Sequence, residues 1–312
     1  MGADRASAGM SGEDFARRPM EALRVRPMRF DLSDARERTP VWSRSSPQFA
    51  IFINALAIHS PYFERFLGAV CRQARPRIQD PQLLADVSAL IGQEAHHAFN
   101  FIEMNRFLAR CYPRVAELDA RARADFERAL AQDSLLSQVG FVAGYETFTF
   151  LAGMVVLGEY DALMGDADPA IRSMWIWHQV EEVEHGAVAF ELYRALFGRH
   201  EWYRKWMVIA AFAYISRQAA EAYLHMCRIE GEFSTPRRAW RALHFFVSFS
   251  LRLLRLALPA LSSRYHPRQH PMVNDRQSPI AIGWRRRYAS GADVAALADG
   301  EIAELRALGE RP

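Results

Sequence analysis

The residues best suited to chemistry lie in one stretch, Trp175 to His185, which reads WIWHQVEEVEH. Within it, His178, Glu182 and His185 are separated by four and then three positions. At about 100° per residue, this spacing places the three side chains on one face of an α-helix. Imidazole nitrogens and carboxylate oxygens are common ligands of divalent metal ions. The stretch therefore predicts a metal site on a helix.

Spacing alone does not decide which glutamate takes part. Glu181 follows His178 by three positions and precedes His185 by four, so it meets the same geometric condition. Glu182 is favoured because it forms a Glu-x-x-His pair with His185, as in the carboxylate-bridged dimetal sites of helix bundles. An exposed charged helix face is the alternative. Apolar residues on both sides of the run favour burial instead, and buried carboxylates need partners.

Three other segments with helical periodicity offer similar residues. Start signals and apolar patterns predict helices over Pro61 to Gln73, Pro81 to Cys111, Leu135 to Met164 and Pro169 to Gly198. Together they supply Glu64, the pair Glu94 and His97, Glu146, and the pair Glu182 and His185. Two single glutamates and two Glu-x-x-His pairs are the ligand set of ferritin-like dimetal bundles. One such pair is weak evidence, but two pairs alternating with embedded glutamates are a strong signal.

The remaining pattern predicts an all-α fold, because no strand-like alternation occurs. Further helices are expected over Gln48 to Ile58, Val115 to Leu130, Trp202 to Ile229 and Pro236 to Leu261. We expect an irregular N-terminal arm over residues 1–40 and a ferritin-like four-helix bundle with two extra helices over 41–262. An irregular C-terminal extension with one short helix, Ala292 to Leu308, should follow over 263–312. Arginines near the two ends are expected to be exposed to solvent, namely Arg17, Arg18, Arg24, Arg26, Arg29, Arg285, Arg286 and Arg287.

Composition narrows the class of protein. Of 312 residues, 50% are hydrophobic, which is ample for a large core, and the net charge of +3 gives no case for a nucleic-acid partner. Three widely spaced cysteines argue against a disulfide framework and fit a reducing cytoplasm. The first thirty or so residues lack an apolar signal-peptide core. No run of about 18 uncharged apolar residues occurs, so we predict a cytoplasmic protein without a membrane-spanning helix.

The motifs SPYFE, QEAHH, GYETFT and WIWHQVEEVEH resemble a bacterial family called "predicted metal-dependent hydrolases", over about Val25 to Pro271. The additional histidine before the last Glu-x-x-His pair is also similar to the arrangement in di-iron arylamine N-oxygenases. These resemblances imply a ferritin-like fold and the ligands Glu64, Glu94, His97, Glu146, His178, Glu182 and His185. His178 either coordinates a metal directly or holds Glu182 from beside the site.

Ligand type predicts the metal and the reaction. A set of carboxylates and imidazoles without thiolates suits two metal ions, iron first and manganese second. Such a pair can activate O2 in a dry apolar pocket, which nearby aromatic residues could line, namely Phe99, Phe101, Phe148, Phe150 and Trp177. We therefore expect a di-iron or iron–manganese oxygenase or oxidase that uses O2, an electron donor and a small apolar substrate. Metal-dependent hydrolysis is the alternative, and a ferroxidase-like or non-enzymatic iron protein is the second alternative.

The segment Trp202 to Leu261 is both apolar and basic, and it permits two interpretations. A basic amphipathic helix can lie on an anionic membrane. Alternatively, both helices pack against the bundle, with arginines at the rim. Packing is favoured because the apolar face of Phe245 to Leu261 is wide. It predicts that most phenylalanines and leucines there are buried in the monomer or in a homodimer.

Overall fold

The computed structural model describes residues 19–21, 23–32, 38–270, 272–273 and 277–311. Most of these residues are helical and none forms a β-strand; an isolated bridge pairs Ser43 with Ala167. The predicted all-α fold is confirmed. Part of the predicted arm, including Arg17 and Arg18, lies outside the described residues.

The helices follow one another with short connections. In chain order they are α1 (Pro47–Ala57), α2 (Ser60–Ala74), α3 (Pro81–Cys111), α4 (Val115–Gln132), α5 (Leu135–Gly158), α6 (Tyr160–Met164), α7 (Pro169–His185), α8 (Val188–Phe197), α9 (Glu201–Ile229), α10 (Pro236–Ala257), α11 (Pro279–Ala289) and α12 (Asp299–Glu310). Asp80 caps α3 and Asp168 caps α7, and a proline takes the first position of each helix. A capping carboxylate accepts the free N–H groups of the first turn, while proline has no N–H to leave unbonded. These two helices therefore begin where the sequence predicts.

Four helices surround the candidate site. α2 packs against α3, and α5 against α7, while α2 also contacts α5 and α3 contacts α7. This arrangement is consistent with the predicted ferritin-like bundle. A Cβ atom at Gly153 of α5 would lie 2.8 Å from the carbonyl oxygen of Gln179 on α7. Glycine thus allows the close approach that brings α5 to the ligand-bearing helix.

The helix predicted over Pro169 to Gly198 is divided in two. α7 ends at His185, and α8 begins at Val188. At the break, a Cβ on Gly186 would lie 2.7 Å from Met20 Cε and 2.8 Å from the ring of Phe150. The chain is therefore tightly packed where the helix changes course, and the apolar pattern continues across the break without revealing it.

The helix predicted over Leu135 to Met164 is also interrupted. Glu159, with φ of −110° and ψ of 28°, separates α5 from the short helix α6. Gly158 precedes it, and glycine lowers helix stability by about 1 kcal/mol relative to alanine. The apolar residues on either side gave no sign of this interruption.

The predicted irregular C-terminal extension with one short helix was wrong. Residues 277–311 contain both α11 and α12, which pack against each other, and α11 also contacts α7. Trp284 and Leu305 are fully buried. The expected solvent exposure was also wrong for Arg26 and Arg285, which are each only 2% exposed.

Outside the bundle core, α9 and α10 pack on α1 and α5, as predicted. However, the expectation that most phenylalanines and leucines of α10 are buried was wrong for the single chain. Phe249 and Leu253 are buried, but Phe245, Phe246 and Leu256 are half-buried and Leu258 is exposed. One side of α10 packs inward, and its other apolar side faces outward.

Within the part of the chain that the structure describes, two helices are long and apolar enough to cross a membrane by length and composition alone, although the sequence predicted none. The apolar window of Leu135–Gly158 is 83% buried, whereas that of Pro236–Leu261 is only 22% buried. Burial in the core accounts for the apolar composition of the first helix. It does not account for that of the second.

Candidate metal centre

The structure brings the seven predicted ligands together in the interior. α2 supplies Glu64, α3 supplies Glu94 and His97, α5 supplies Glu146, and α7 supplies His178, Glu182 and His185. No residue of this set, which we call the ligand cluster, is more than 6% exposed. Four carboxylates and three imidazoles therefore share one buried space.

One group of ligand atoms lies on the side of Glu64. His178 Nε2 is 3.6 Å from Glu64 Oε1 and 3.0 Å from Glu182 Oε1. His97 Nδ1 is 3.5 Å from the same Glu182 oxygen. One ligand atom from each of these four residues lies within 4.8 Å of all the others, which is close enough for a single cation.

A second group lies around His185. Its Nδ1 is 3.0 Å from Glu94 Oε1, 3.5 Å from Glu146 Oε2 and 3.6 Å from Glu182 Oε2. Atoms of Glu94, Glu182 and His185 again lie within 4.8 Å of one another. This group could hold a second cation.

Two carboxylates join the groups. Glu182 presents Oε1 to His97 and His178, and Oε2 to His185. Glu94 directs Oε1 to His185, while its Oε2 lies 3.7 Å from His97 Nδ1. Each side chain thus reaches both groups, as expected of residues shared by two cations. Between the two candidate glutamates, it is Glu182 rather than Glu181 that faces the cluster.

Many atoms of the ligand cluster lack a hydrogen-bond partner. They are Glu64 Oε2, both carboxylate oxygens of Glu94, His97 Nδ1, Glu146 Oε2, His178 Nε2, Glu182 Oε2 and His185 Nδ1. A buried polar group without a partner is destabilising by about 1–3 kcal/mol. A concentration of such atoms, all facing one another, fits bound cations better than it fits a purely structural cluster.

The carboxylates divide into two electrostatic classes. Burial raises the pKa of Glu64 to about 7 and that of Glu146 to about 8. Burial acts in the same sense on Glu94 and Glu182, but the neighbouring histidines outweigh it and lower both pKa values. Without a cation, the cluster consequently keeps protons on part of its ligand set.

Two histidines of the ligand cluster are held in orientation by acceptors at Nε2, the ring nitrogen directed away from the cluster carboxylates. His97 Nε2 lies 2.9 Å from Glu181 Oε2, and His185 Nε2 lies 3.0 Å from Gln93 Oε1. When each Nε2–H donates to its oxygen, the opposite nitrogen, Nδ1, is left unprotonated in the neutral ring. That nitrogen faces the carboxylates in both residues. Glu181 and Gln93 thereby prepare the two rings to bind a cation.

His178 is held differently. Its ring lies on the cluster side of α7, and Gln179 Nε2 lies 3.2 Å from its Nδ1. With this amide orientation the neutral ring carries its proton on Nε2, which faces Glu182 Oε1 at 3.0 Å. The reversed amide would place Gln179 Oε1, which has no partner, against Nδ1 and free Nε2 for a metal. The two orientations correspond to the two roles that the sequence left open for His178.

A second buried cluster adjoins the first, and sequence reasoning missed it. It consists of Arg26, Gln93, Glu181, Glu184 and Arg285, and we call it the arginine network. Arg26 lies 3.0 Å from Glu181 and 2.9 Å from Glu184, and Arg285 lies 3.1 Å from Glu184. Glu181 and Glu184 are visible in the sequence as the first and last residues of the run EEVE. No local sequence pattern connects them with arginines at positions 26 and 285.

An apolar cavity of about 70 Å³ adjoins His178 and Glu182. Tyr145, Phe148, Trp175, Ile215 and Leu253 are among the residues that line it. Its walls come from α1, α2, α5, α7, α9 and α10. The ligand cluster therefore has a small, mainly apolar space beside it.

Of the five aromatic residues expected to line an apolar pocket, Phe148 lines this cavity. Phe101 and Trp177 do not line it but contact the ligand rings, with centroids 4.6 Å from His178 and 4.8 Å from His97, respectively. The expectation was wrong for two others. Phe99 is 43% exposed, and Phe150 packs against His270 instead.

Comparison with known families gave one match. A family model with the description "Predicted metal-dependent hydrolase" matches residues 24–275. Neither the comparison with curated proteins nor that with solved structures found a match. The matched range includes the whole ligand cluster and Arg26 but ends before Arg285.

Proposed function

Because the chain belongs to the family of predicted metal-dependent hydrolases, we propose that it is an enzyme whose ligand cluster holds two metal ions. The observation that supports this most strongly is the set of buried, mutually facing nitrogen and oxygen atoms without partners. Glu64, His97 and His178 would bind one ion, and Glu146 and His185 the other. Glu94 and Glu182 would bind both.

For the metal, we propose iron, with manganese as the second choice. Carboxylate and imidazole ligands suit both ions, and the cluster contains no thiolate. Cys71 is buried, but burial raises its pKa above the ordinary thiol value, so it remains protonated rather than binding as a thiolate.

For the reaction, we propose O2-dependent oxidation of a small apolar molecule. Two divalent ions held by these residues would supply the electrons for O2 activation, and an external donor would restore them. The support is the ligand set together with the apolar cavity beside His178 and Glu182. Phe148 and Leu253 would exclude water from the substrate, which limits side reactions of an activated site.

Metal-dependent hydrolysis is the second candidate, and the family description favours it over oxidation. In that reaction a bound ion lowers the pKa of a water molecule and so generates a nucleophile. A hydrolytic role needs access for water and for a polar substrate, whereas the cavity beside His178 and Glu182 is lined mainly by apolar residues. An iron protein without catalysis, or one that only oxidises iron, is the third candidate.

The test uses protein purified without a nickel-binding tag. We expect elemental analysis to find about two ions per chain, mainly iron, and an oxygen electrode to detect consumption of O2 when a chemical reductant is added. Chelator-sensitive ester hydrolysis that proceeds equally well without O2 would instead support the hydrolase. Protein that binds no iron or manganese when either is supplied would contradict the dimetal proposal altogether.

A further inference from the structure

We propose that the outward face of α10 docks on an anionic lipid membrane. Two observations carry the proposal: a row of exposed apolar side chains and a neighbouring row of exposed arginines on the same helix. Because docking concerns where the protein resides rather than which reaction it performs, it can be tested independently of the proposed function.

The apolar row occupies the outer side of α10. Large exposed side chains are Trp240 (67% exposed), Leu243 (44%), Val247 (52%), Leu251 (42%) and, just after the helix, Leu258 (55%). At 100° per residue these positions form one stripe, roughly opposite the buried Phe249 and Leu253. The first four of these residues border a groove of 370 Å³. Contiguous exposed apolar surface of this kind marks an interaction site.

The basic row lies beside the apolar one. Arg237, Arg241 and Arg255 are exposed there, and His244 lies among them; Arg238 is exposed at the start of the helix, farther round from the apolar row. Arg252 is not counted, since it is paired with Glu159. The sequence contains no acidic residue between Glu232 and Asp275, so α10 itself offers no carboxylate. An apolar stripe flanked by arginines, with tryptophan present, is typical of helices that lie in a membrane interface.

The positive charges on the outward face of α10 indicate which kind of partner can bind there. If a second copy of the chain bound through the same face, its arginines would approach those of the first, with no acid from α10 to compensate. Anionic lipids satisfy both rows at once, because their head groups attract arginines and their acyl chains accept apolar side chains. An anionic bilayer is therefore the occupant to which we commit.

The same helix connects this face with the metal centre. Leu253, on the inner side of α10, lines the cavity that adjoins His178 and Glu182. A membrane bound to the outer side would consequently lie one helix away from that cavity. If the proposed function holds, this position would suit an apolar substrate dissolved in lipid.

The first experiment is flotation of the full-length protein with vesicles. One set contains phosphatidylcholine alone, and the other contains phosphatidylcholine and phosphatidylglycerol at about 3:1. We expect at least tenfold stronger partitioning to the anionic vesicles in low salt, and loss of that difference in high salt, because counterions screen exposed charges.

Matched variants separate α10 from the rest of the surface. The triple variant Arg237→Gln, Arg238→Gln and Arg241→Gln should weaken partitioning on the order of 100-fold, from roughly fivefold per arginine. Its control removes the same charge elsewhere, through Arg65→Gln, Arg77→Gln and Arg110→Gln, and should change partitioning much less. These positions are all exposed.

The apolar row is tested with a second matched pair of variants. Leu251→Ser on α10 should weaken partitioning about tenfold, since burying a leucine in lipid is worth roughly that much. Leu224→Ser on α9 is the control, because Leu224 is 40% exposed and Leu251 is 42% exposed. Unchanged metal content and thermal unfolding would show that the variants remain folded.

Three results would overturn the proposal. The first is absence of flotation with anionic vesicles in low salt. The second is an equal loss of binding in both arginine triples, which would indicate net charge alone. The third is a dimer in sedimentation velocity that Leu251→Ser dissociates while vesicle binding stays unchanged, which would assign the face to a second copy.

Discussion

The ligand cluster and the arginine network lie side by side on α7, and they differ in how buried charge is balanced. Glu184 of the network is bonded to Arg26 and Arg285 within 3.1 Å. In the ligand cluster, four carboxylates face three imidazoles, and none of the described arginines or lysines contacts these carboxylates. Glutamates at the same depth thus have arginine counter-ions in one cluster, whereas in the other only imidazoles face them.

This difference separates a structural cluster from a functional one. The network's negative side chains are compensated by cations from the chain itself, so it is complete as it stands. The ligand cluster leaves its atoms unpaired and facing one another, which is the arrangement that an external cation would complete. The four predictions below either sharpen this contrast or remove it.

The largest effect should follow removal of a shared carboxylate. Glu94→Ala should abolish binding of at least one ion, because both candidate groups use its oxygens. The control is Glu103→Ala, which removes an acid from the same helix where it pairs with Arg106 instead. Metal content measured by elemental analysis should fall in the first variant alone; equal content in both would count against the site.

In the arginine network, Arg26→Ala should reduce stability rather than metal chemistry. It removes one partner of a buried ion-pair network, and such truncations lower the free energy of unfolding by about 3–5 kcal/mol. Arg77→Ala, at an exposed position outside the network, should change it by less than about 1 kcal/mol. Urea unfolding measures both, and a near-neutral Arg26→Ala would mean that the network does not stabilise the fold.

Glu181 lies where the two clusters meet, so its substitution should have an intermediate effect. Glu181→Gln weakens the acceptor of the His97 Nε2–H, and loss of such a supporting contact typically lowers metal affinity 10–100-fold. Titration with Mn(II) should show weaker binding with the protein still folded. Unaltered affinity would indicate that Glu181 serves only the arginine network.

The last prediction concerns pH in the metal-free protein. Glu64 and Glu146 have pKa values raised from 4.5 to about 7 and about 8, so the folded chain binds more protons than the unfolded chain in this range. Raised pKa values of His97 and His185 act in the same direction. Stability should therefore fall as pH rises from about 5 to 8.

Chelator-treated protein, unfolded with urea at several pH values, tests this prediction. Glu64→Gln should flatten the profile near pH 7, because the residue no longer exchanges a proton. Added Mn(II) should stabilise the protein increasingly as pH rises, since the ligands must lose protons to bind it. A metal-free protein that becomes more stable between pH 6 and 8 would contradict the assigned protonation.

Helical spacing carried much of the site prediction, because it determines which residues share a face. The four-residue and three-residue steps of His178, Glu182 and His185, and the Glu94–His97 pair, needed only the geometry of one helix. The predicted register of Glu182 also agrees with its position facing the cluster. These inferences depend on neighbours along a single helix.

Other features depend on contacts between distant segments, which spacing does not encode. Arg26 and Arg285 look like ordinary terminal arginines until the fold places both against Glu184. At the break, Gly186 packs closely against Met20 and Phe150. For α10, an apolar pattern on two sides indicated burial, but the structure supplies a packing partner for one side only. In each case, the missing information was which other segment lies nearby.

The position of Glu184 also determines when, during synthesis of the chain, the arginine network can form. This residue joins Arg26, 158 positions earlier, to Arg285, 101 positions later. During synthesis, the ribosome must therefore add those 101 residues before Glu184 can have both arginine partners. Contacts between residues so far apart in the sequence also form slowly. The chain loses the conformational entropy of closing the loop before it gains the energy of the contact. The helix that carries three predicted ligands thus leaves the ribosome before one of its two arginine partners exists.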